Sequence, residues 1–394
     1  MVEALAVLER APGSPGEREA ADWISERLAA AGCRCVVEEA EFLDGYARPL
    51  IPLGLASAGA GLVALTGRAR WLAAAIGVTT AAGVADDVQN GTRAWRRLIG
   101  RPQATQNVVA EAGPPAAQRT LVVLAHHDAA QTGQVFDQRL HHWLGERFPG
   151  ILERMDTSLP LWWPVIAAPL LVVAGAARRS RGLAAAGLAG SLGAAALGAD
   201  IARSPTVPGA NDNLSAVAVL VALAERLRRE PRPGLRVLLV SCGAEEVLQG
   251  GIHSFCARHL PTLDRDQTWV LCLDTVGSPR LILVEGEGPV IMEDYWDRTF
   301  RDRLAGAAER AGVTLRRGMR ARFSLDAIIP SRARYPTAAL SSTDWAKALT
   351  EYHQMTDTPE NLHYGTVADA VEVAWELLGE LAAGGPGLEP AQRG

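Results

Sequence analysis

The sequence predicts an α/β fold with a mixed, mostly parallel sheet flanked by helices, into which two helical hairpins are inserted. Three features carry that expectation. Short apolar strands alternate with amphipathic helices over much of the chain. A Gly-Pro-Pro turn joins two of the strands in antiparallel sense. Four long uncharged runs interrupt the pattern in two pairs.

Residues 1–32 read as helix broken by the Ala-Pro-Gly-Ser-Pro-Gly turn at 11–16, with Ala21, Ile24 and Leu28 at helical spacing and Gly32 as a C-cap. Cys35 to Phe42 alternates and reads as a strand. Pro49–Gly67 is uncharged for 19 residues and Trp71–Ala85 for 15, joined by an arginine-bearing tip. Asn107–Ala112 and Thr120–Ala125 are the two strands on either side of the Gly-Pro-Pro turn, read as an antiparallel pair. Thr157–Ala177 is uncharged for 21 residues and Gly182–Ala199 for 18, again joined through arginines. Ser215–Arg228 is an amphipathic helix, Leu235–Ser241 and Thr268–Leu273 are buried strands, and Val367–Ala383 is a closing helix. The remainder, 384–394, reads as a disordered tail.

The chain has 394 residues and a formal charge of -5, which gives no reason to expect nucleic acid as a partner. Its one lysine is Lys347, so positive charge is almost entirely arginine. The five cysteines lack paired spacing and read as free buried thiols, neither a disulfide framework nor a thiolate metal site. Residues 1–41 are amphipathic and acidic, unlike a signal peptide.

A bilayer core asks for about 20 mostly apolar residues in a helix, and three of the four uncharged runs meet that need, with Trp71–Ala85 marginal. Trp71, Trp162 and Trp163 stand at run ends, where aromatic rings favour an interface. The expectation is a multi-pass protein of the cell membrane with the lipid bilayer as a partner. The arginine-rich tips point to the α/β part of the chain lying outside the cell, whereas Arg93, Arg96, Arg97 and Arg101 oppose that orientation.

Five short segments carry chemistry. His126-His127-Asp128 ends a strand, where an imidazole can bind a metal and a carboxylate two residues on can take the proton of its other nitrogen. Gly209-Ala210-Asn211-Asp212-Asn213-Leu214-Ser215 leads into a helix and doubles as an ordinary N-cap. Glu245-Glu246 follows a strand, and adjacent carboxylates repel unless a cation or proton intervenes. Asp274-Thr275-Val276-Gly277 follows another strand, and Glu351-Tyr352-His353 is the fifth segment. Each alone has an unremarkable explanation as a surface pair, cap or core residue. Together they have the composition of a binuclear site for a borderline metal such as zinc.

In this order, His-x-Asp, Gly-Ala-x-Asp-Asn-x-Ser, Glu-Glu, Asp-x-x-Gly and Tyr-His resemble the co-catalytic zinc aminopeptidase family. That family includes bacterial leucyl aminopeptidases, glutamate carboxypeptidases and glutaminyl cyclases. The resemblance covers 1–42, 104–136 and 204–383 as a peptidase domain, and leaves 49–100 and 157–200 as inserted hydrophobic hairpins. It implies a zinc-dependent exopeptidase, most simply an aminopeptidase acting on peptides, with two Zn2+ per chain. It implies that His126 and Asp274 bind one zinc, Glu246 and His353 the other, and that Asp212 bridges them. Glu245 is implied as general base, Asp128 as the residue orienting His126, and Tyr352 as a group stabilising the tetrahedral intermediate. Asp357 matches a stretch following the last ligand.

Two departures stand out. His126 and Asp212 are 86 residues apart, farther than the family pattern, with the second hairpin between them. Ser324-Leu325-Asp326-Ala327 resembles the family's Ser-Asp-His segment, but no histidine follows Asp326. The other histidines, 127, 141, 142, 253, 259 and 363, fall outside the ordered set. Two alternatives are a glutaminyl cyclase-like transferase, a branch that keeps one zinc, and a non-catalytic membrane scaffold, whose relatives lose ligands that are all present here. The strand directions put both inserts on the rim that carries His126, so all four helices are expected at the mouth of the site, holding it against a bilayer.

Overall fold

The computed structural model describes residues 1–384. The tail expected at 384–394 lies, from 385 on, outside the described residues.

Nine strands form one sheet: β1 (Arg34–Leu43), β2 (Pro102–Ala112), β3 (Arg119–His126), β4 (Leu235–Cys242), β5 (Thr268–Leu273), β6 (Arg280–Glu287), β7 (Glu293–Asp294), β8 (Arg316–Ala321) and β9 (Thr337–Thr343). Their order is β1-β2-β4-β3-β5-β9-β6-β7, with β8 beside β6. The central strands β4, β3, β5 and β9 are parallel, β1 and β2 pair antiparallel to their neighbours, and β6 is antiparallel to β9 and β7 but parallel to β8. The expected mixed sheet is therefore present.

The hairpin expected from the Gly-Pro-Pro turn is not. β2 and β3 do run in opposite directions, but β4 lies between them and pairs with both. The reason is burial: β3 is apolar on both faces and takes a central place between two parallel neighbours, as such strands do. The rim argument survives the correction, because Val108, where β2 first pairs with β4, faces Ser241 near the end of β4, level with Ala125.

Helices cover both faces. They are α1 (Pro15–Ala30), α2 (Leu50–Thr66), α3 (Arg70–Val88), α4 (Trp163–Arg178), α5 (Arg181–Ile201), α6 (Ser215–Arg229), α7 (Gly250–His259), α8 (Arg298–Arg310) and α9 (Tyr364–Ala383), among shorter ones. Alternation along β3 sends Leu121 and Val123 into a core with α1, α6, α8 and α9. Val122 and Leu124 join the opposite core, under α7.

The four uncharged runs become α2, α3, α4 and α5, which pack on one another. Their glycines are contact points: a Cβ on Gly187 would stand 2.6 Å from the backbone of Val172, and one on Gly175 2.5 Å from that of Ala184. Alanine and glycine thus give these segments their uncharged character and serve close helix packing. α2 has 17 residues and α4 has 16, below the roughly 20 of an average span, because Gly67 ends the first and the second begins only at Trp163. Only α3 and α5, among the described residues, are long and apolar enough to cross a membrane, and a packed helix of a globular protein passes the same test. Pro49–Gly67 and Thr157–Ala177, taken above as spans, fail it, while the marginal Trp71–Ala85 passes as part of α3, so the multi-pass reading loses two of the three runs it rested on.

Candidate active site

The C-terminal ends of β3, β4 and β5 and the turn before α6 converge on one buried cluster. The carboxyl ends of parallel strands are where such sheets place ligands, since loops there are free to carry polar groups. His126 ends β3, Glu245 and Glu246 follow β4, and Asp274 follows β5. Asp212 sits on an irregular turn whose Asp212–Asn213 peptide is cis. His353 arrives from the loop between β9 and α9. All six are at most 8% exposed.

Asp212 lies between the two imidazoles. Its Oδ1 is 3.3 Å from His126 Nε2 and its Oδ2 is 3.4 Å from His353 Nε2. His353 Nε2 is also 3.2 Å from Glu246 Oε2, and His126 Nε2 is 3.7 Å from Asp274 Oδ2. Ligand atoms of His126, Asp212 and Glu246 all fall within 4.8 Å of one another. Two ligands bound at 2.0–2.2 Å to one tetrahedral zinc stand about 3.3–3.5 Å apart, so these spacings fit a shared ion. His353 Nε2 and Glu246 Oε1 are buried without hydrogen-bond partners, which suits atoms aimed at a cation. The donors, imidazole and carboxylate, are those zinc takes.

The field of the cluster is that of a cation site. Burial pushes the carboxyls of Glu245 and Glu246 above their ordinary range, and Asp274 up to about 7. Although burial lowers it, His353 is raised to about 10 by Glu246 and Asp212. Several buried carboxylates around two imidazoles carry an excess of negative charge that a metal relieves.

Supporting residues fix these side chains. Asp128 accepts hydrogen bonds from the backbone N–H groups of Glu245 and Glu246, both at 3.0 Å, and its Oδ1 is 3.4 Å from His126 Nδ1. It therefore ties the β3 and β4 loops together as well as facing the imidazole. Asp357 accepts from Asn211 N at 2.7 Å and Asp212 N at 3.1 Å, clamping the Asp212 turn. Its carboxyl is pushed up to about 7, chiefly by burial. Gln249 donates to Glu245 Oε1 at 2.8 Å. Tyr352 stacks on His353 with ring centroids 3.9 Å apart.

Ala244, Gln249, Thr275 and His353 all have left-handed backbone, with φ between 51° and 59°. Each is a member of the buried cluster, a chain neighbour of one or a partner of Glu245. Non-glycine residues enter that region at a cost, and they concentrate where side-chain aim is fixed by function.

Sequence reasoning missed three buried supports. Arg10 donates from its guanidinium to the carbonyls of His127, Leu5, Pro208 and Gly209, joining the His126 and Asp212 loops; burial lowers it to about 10. Glu17 accepts from Ala244 N and Thr105 Oγ1, both at 2.8 Å, and is pushed up to about 8 by burial. Gln249 is the third. A charged residue in an otherwise amphipathic N-terminal segment gives no sign that it is buried. Asp326, noted for its missing histidine, is fully buried, and its charge adds to the upward push on Glu245.

Residues 195–378 match the family model of Peptidase family M28. That stretch of the chain is M28 peptidase sequence. The match contains Asp212, Glu245, Glu246, Asp274 and His353 but starts after His126, which the fold alone brings to the site. No curated protein matches the sequence. Among solved structures, the fold is similar to that of a leucine aminopeptidase precursor from Bacteroides thetaiotaomicron, at 13% identity and TM-score 0.57, covering 96% of this chain and 94% of that one. A Zn-dependent exopeptidase from Parabacteroides distasonis gives 13% and 0.54, with 96% and 94% covered. A glutaminyl cyclase from Tannerella forsythia gives 15% and 0.54, with 96% and 95% covered. The M28 match and the metal-binding geometry together make this a zinc peptidase site, and the enzyme a hydrolase. Likeness over nearly the whole chain to the fold of exopeptidases and cyclases, with two helices of spanning length among the described residues, corrects the multi-pass membrane placement expected from the sequence.

Proposed function

We propose that this M28 domain is an aminopeptidase that works with two zinc ions. The observation that carries the reading is the placement of Asp212, with one carboxylate oxygen toward each imidazole. In this reading His126 and Asp274 hold one ion, His353 and Glu246 the other, and Asp212 both. Glu246 is also close enough to His126 to share a site with it, so the division between the ions is part of the proposal. When bound, the metal supplies Lewis-acid polarisation of the scissile carbonyl and makes a water acidic enough to lose a proton near neutral pH.

The protein residues do the remaining work. Glu245, beside the ligands but held by Gln249, takes a proton from the attacking water and gives it to the leaving amine. Its upward-shifted carboxyl suits both halves of that transfer. Asp128 holds His126 and the Glu245–Glu246 turn in register. Tyr352 borders the reacting carbonyl and stabilises the charge that develops there. The chain divides in this reading into a peptidase domain of 1–42, 104–136 and 204–383, with helical inserts at 49–100 and 157–200.

The test is the zinc-loaded protein against aminoacyl, N-blocked and C-terminal peptide substrates, with a glutaminyl peptide among them. Release of the N-terminal residue supports the reading. Ammonia release from the glutaminyl peptide without hydrolysis would replace it with the cyclase alternative.

A further inference from the structure

The four helices α2–α5 enclose a cavity that the peptidase chemistry does not explain. It holds about 80 Å³ and is bounded by, among others, Leu50, Val84, Val165, Ala194 and Leu197. No charged residue lines it. Two of its polar groups, the hydroxyls of Ser57 and Ser191, hydrogen-bond each other at 2.8 Å and so ask for no water. The other polar-bearing side chains of its lining are Tyr46, Thr80 and Trp162, and the rest is apolar surface of the kind that accepts the apolar part of a ligand.

The cavity reaches the metal site through side chains alone. Phe136 lines it, and the Phe136 ring lies 4.4 Å from the ring of His353 and 5.8 Å from that of Tyr352, centroid to centroid. A second apolar cavity lies on the other side, bordered by Tyr352 itself, and shares the walls Val135, Phe136 and Leu161 with the first. The two cavities therefore adjoin at Val135, Phe136 and Leu161, the one beside Tyr352 being mainly apolar with Asp137, Arg320 and Lys347 also in its lining.

We propose that the bundle cavity receives an unbranched aliphatic chain carried by the substrate residue whose peptide bond is cut. This rests on the peptidase reading above. The enclosed shape between four helices admits a linear chain in preference to a ring. A water-sized group needs about 10–15 Å³ of such space, so the cavity takes on the order of six methylene groups. Each buried methylene is worth about a fourfold gain in kcat/KM until the space is filled.

The test uses the zinc-loaded full chain and 4-nitroanilides of alanine, norleucine, 2-aminooctanoic acid and 2-aminododecanoic acid. The expected result is kcat/KM rising with chain length and levelling after the cavity is full. Ala194→Phe and Val165→Phe fill the cavity from opposite sides, and each is expected to lower the 2-aminooctanoyl to alanyl ratio at least tenfold. A ratio that ignores both variants, or a kcat/KM indifferent to chain length, overturns the proposal. Octanoate that raises Tm in the parent but not in the variants, with no dependence of kcat/KM on chain length, assigns the cavity to a free aliphatic ligand and also overturns it. Should no anilide or peptide be cut, the peptidase reading falls, and calorimetry with the free amino acids decides the cavity. Tighter binding of 2-aminooctanoic acid than of alanine, lost in Ala194→Phe, upholds it, and equal binding overturns it.

Discussion

Gln249 donates its side-chain amide to Oε1 of Glu245 at 2.8 Å, and its own carbonyl accepts from the Asn90 amide just beyond α3. A hydrogen-bonded chain thus runs from the helical bundle to the residue assigned as general base. Gln249→Ala removes the last link while sparing the metal ligands, and kcat is expected to fall about tenfold to a hundredfold through loss of aim. Asn90→Ala, one link farther away, is expected to cost about threefold to tenfold by the same route. Steady-state kinetics with zinc content measured in parallel checks both. A loss of zinc equal to the loss of kcat would show that the link serves metal retention instead.

Glu245→Gln keeps shape and the contact with Gln249 but cannot take a proton. Turnover is expected to fall by about 10²–10⁴ with zinc content and Tm close to the parent's. Undiminished turnover in this variant removes Glu245 from the mechanism.

Asp357→Asn tests the clamp on the Asp212 turn. One of the two backbone N–H groups now served by the carboxylate would meet an amide N–H, and the turn would lose its aim. Zinc affinity is expected to drop about 10–100-fold, as it does when a supporting partner of a ligand is removed. Competition with a chelator reads this directly, and an unchanged affinity would reduce Asp357 to an ordinary loop anchor.

His127, next to the ligand His126, is fully buried and held near neutral, with Nδ1 3.0 Å from Ser241 Oγ. Burial lowers its pKa from the ordinary 6.5 to about 4. Between those values the unfolded chain holds a proton that the folded chain lacks. Stability from this group is therefore complete above pH 6.5 and is lost as pH falls toward 4, by about 3 kcal/mol. His127→Asn lacks that titration, so the Tm gap between parent and variant, measured in chelator, is expected to narrow steadily from pH 7 to 4. A gap that stays constant would mean that His127 is not held neutral.

Much of the fold was readable because β3, β4 and β5 are continuous apolar runs and α6 and α9 are strongly periodic. The strand order was not: a short turn between Ala112 and Thr120 suggests a hairpin, and only the parallel partners of β3 reveal that β4 belongs between them. The residues that meet in the buried cluster were legible because each sits at a strand end or turn in an ordered motif. Arg10 and Glu17 were not, since their roles depend on contacts between residues more than a hundred positions apart, as with Arg10 and His127 or Glu17 and Ala244, and Gln249 was not because a neutral side chain four residues past Glu245 belongs to no motif. The uncharged runs misled for a chemical reason. Alanine and glycine are neutral enough to enter a bilayer and small enough to pack helices tightly, and hydropathy does not separate the two uses.

Metal analysis of the purified protein after zinc loading and desalting tests the central claim most directly. Two zinc ions per chain, falling to one or fewer in His353→Ala, is the expected result. A single zinc in the parent that survives His353→Ala, or no zinc at all, would contradict a site in which Asp212 serves two ions.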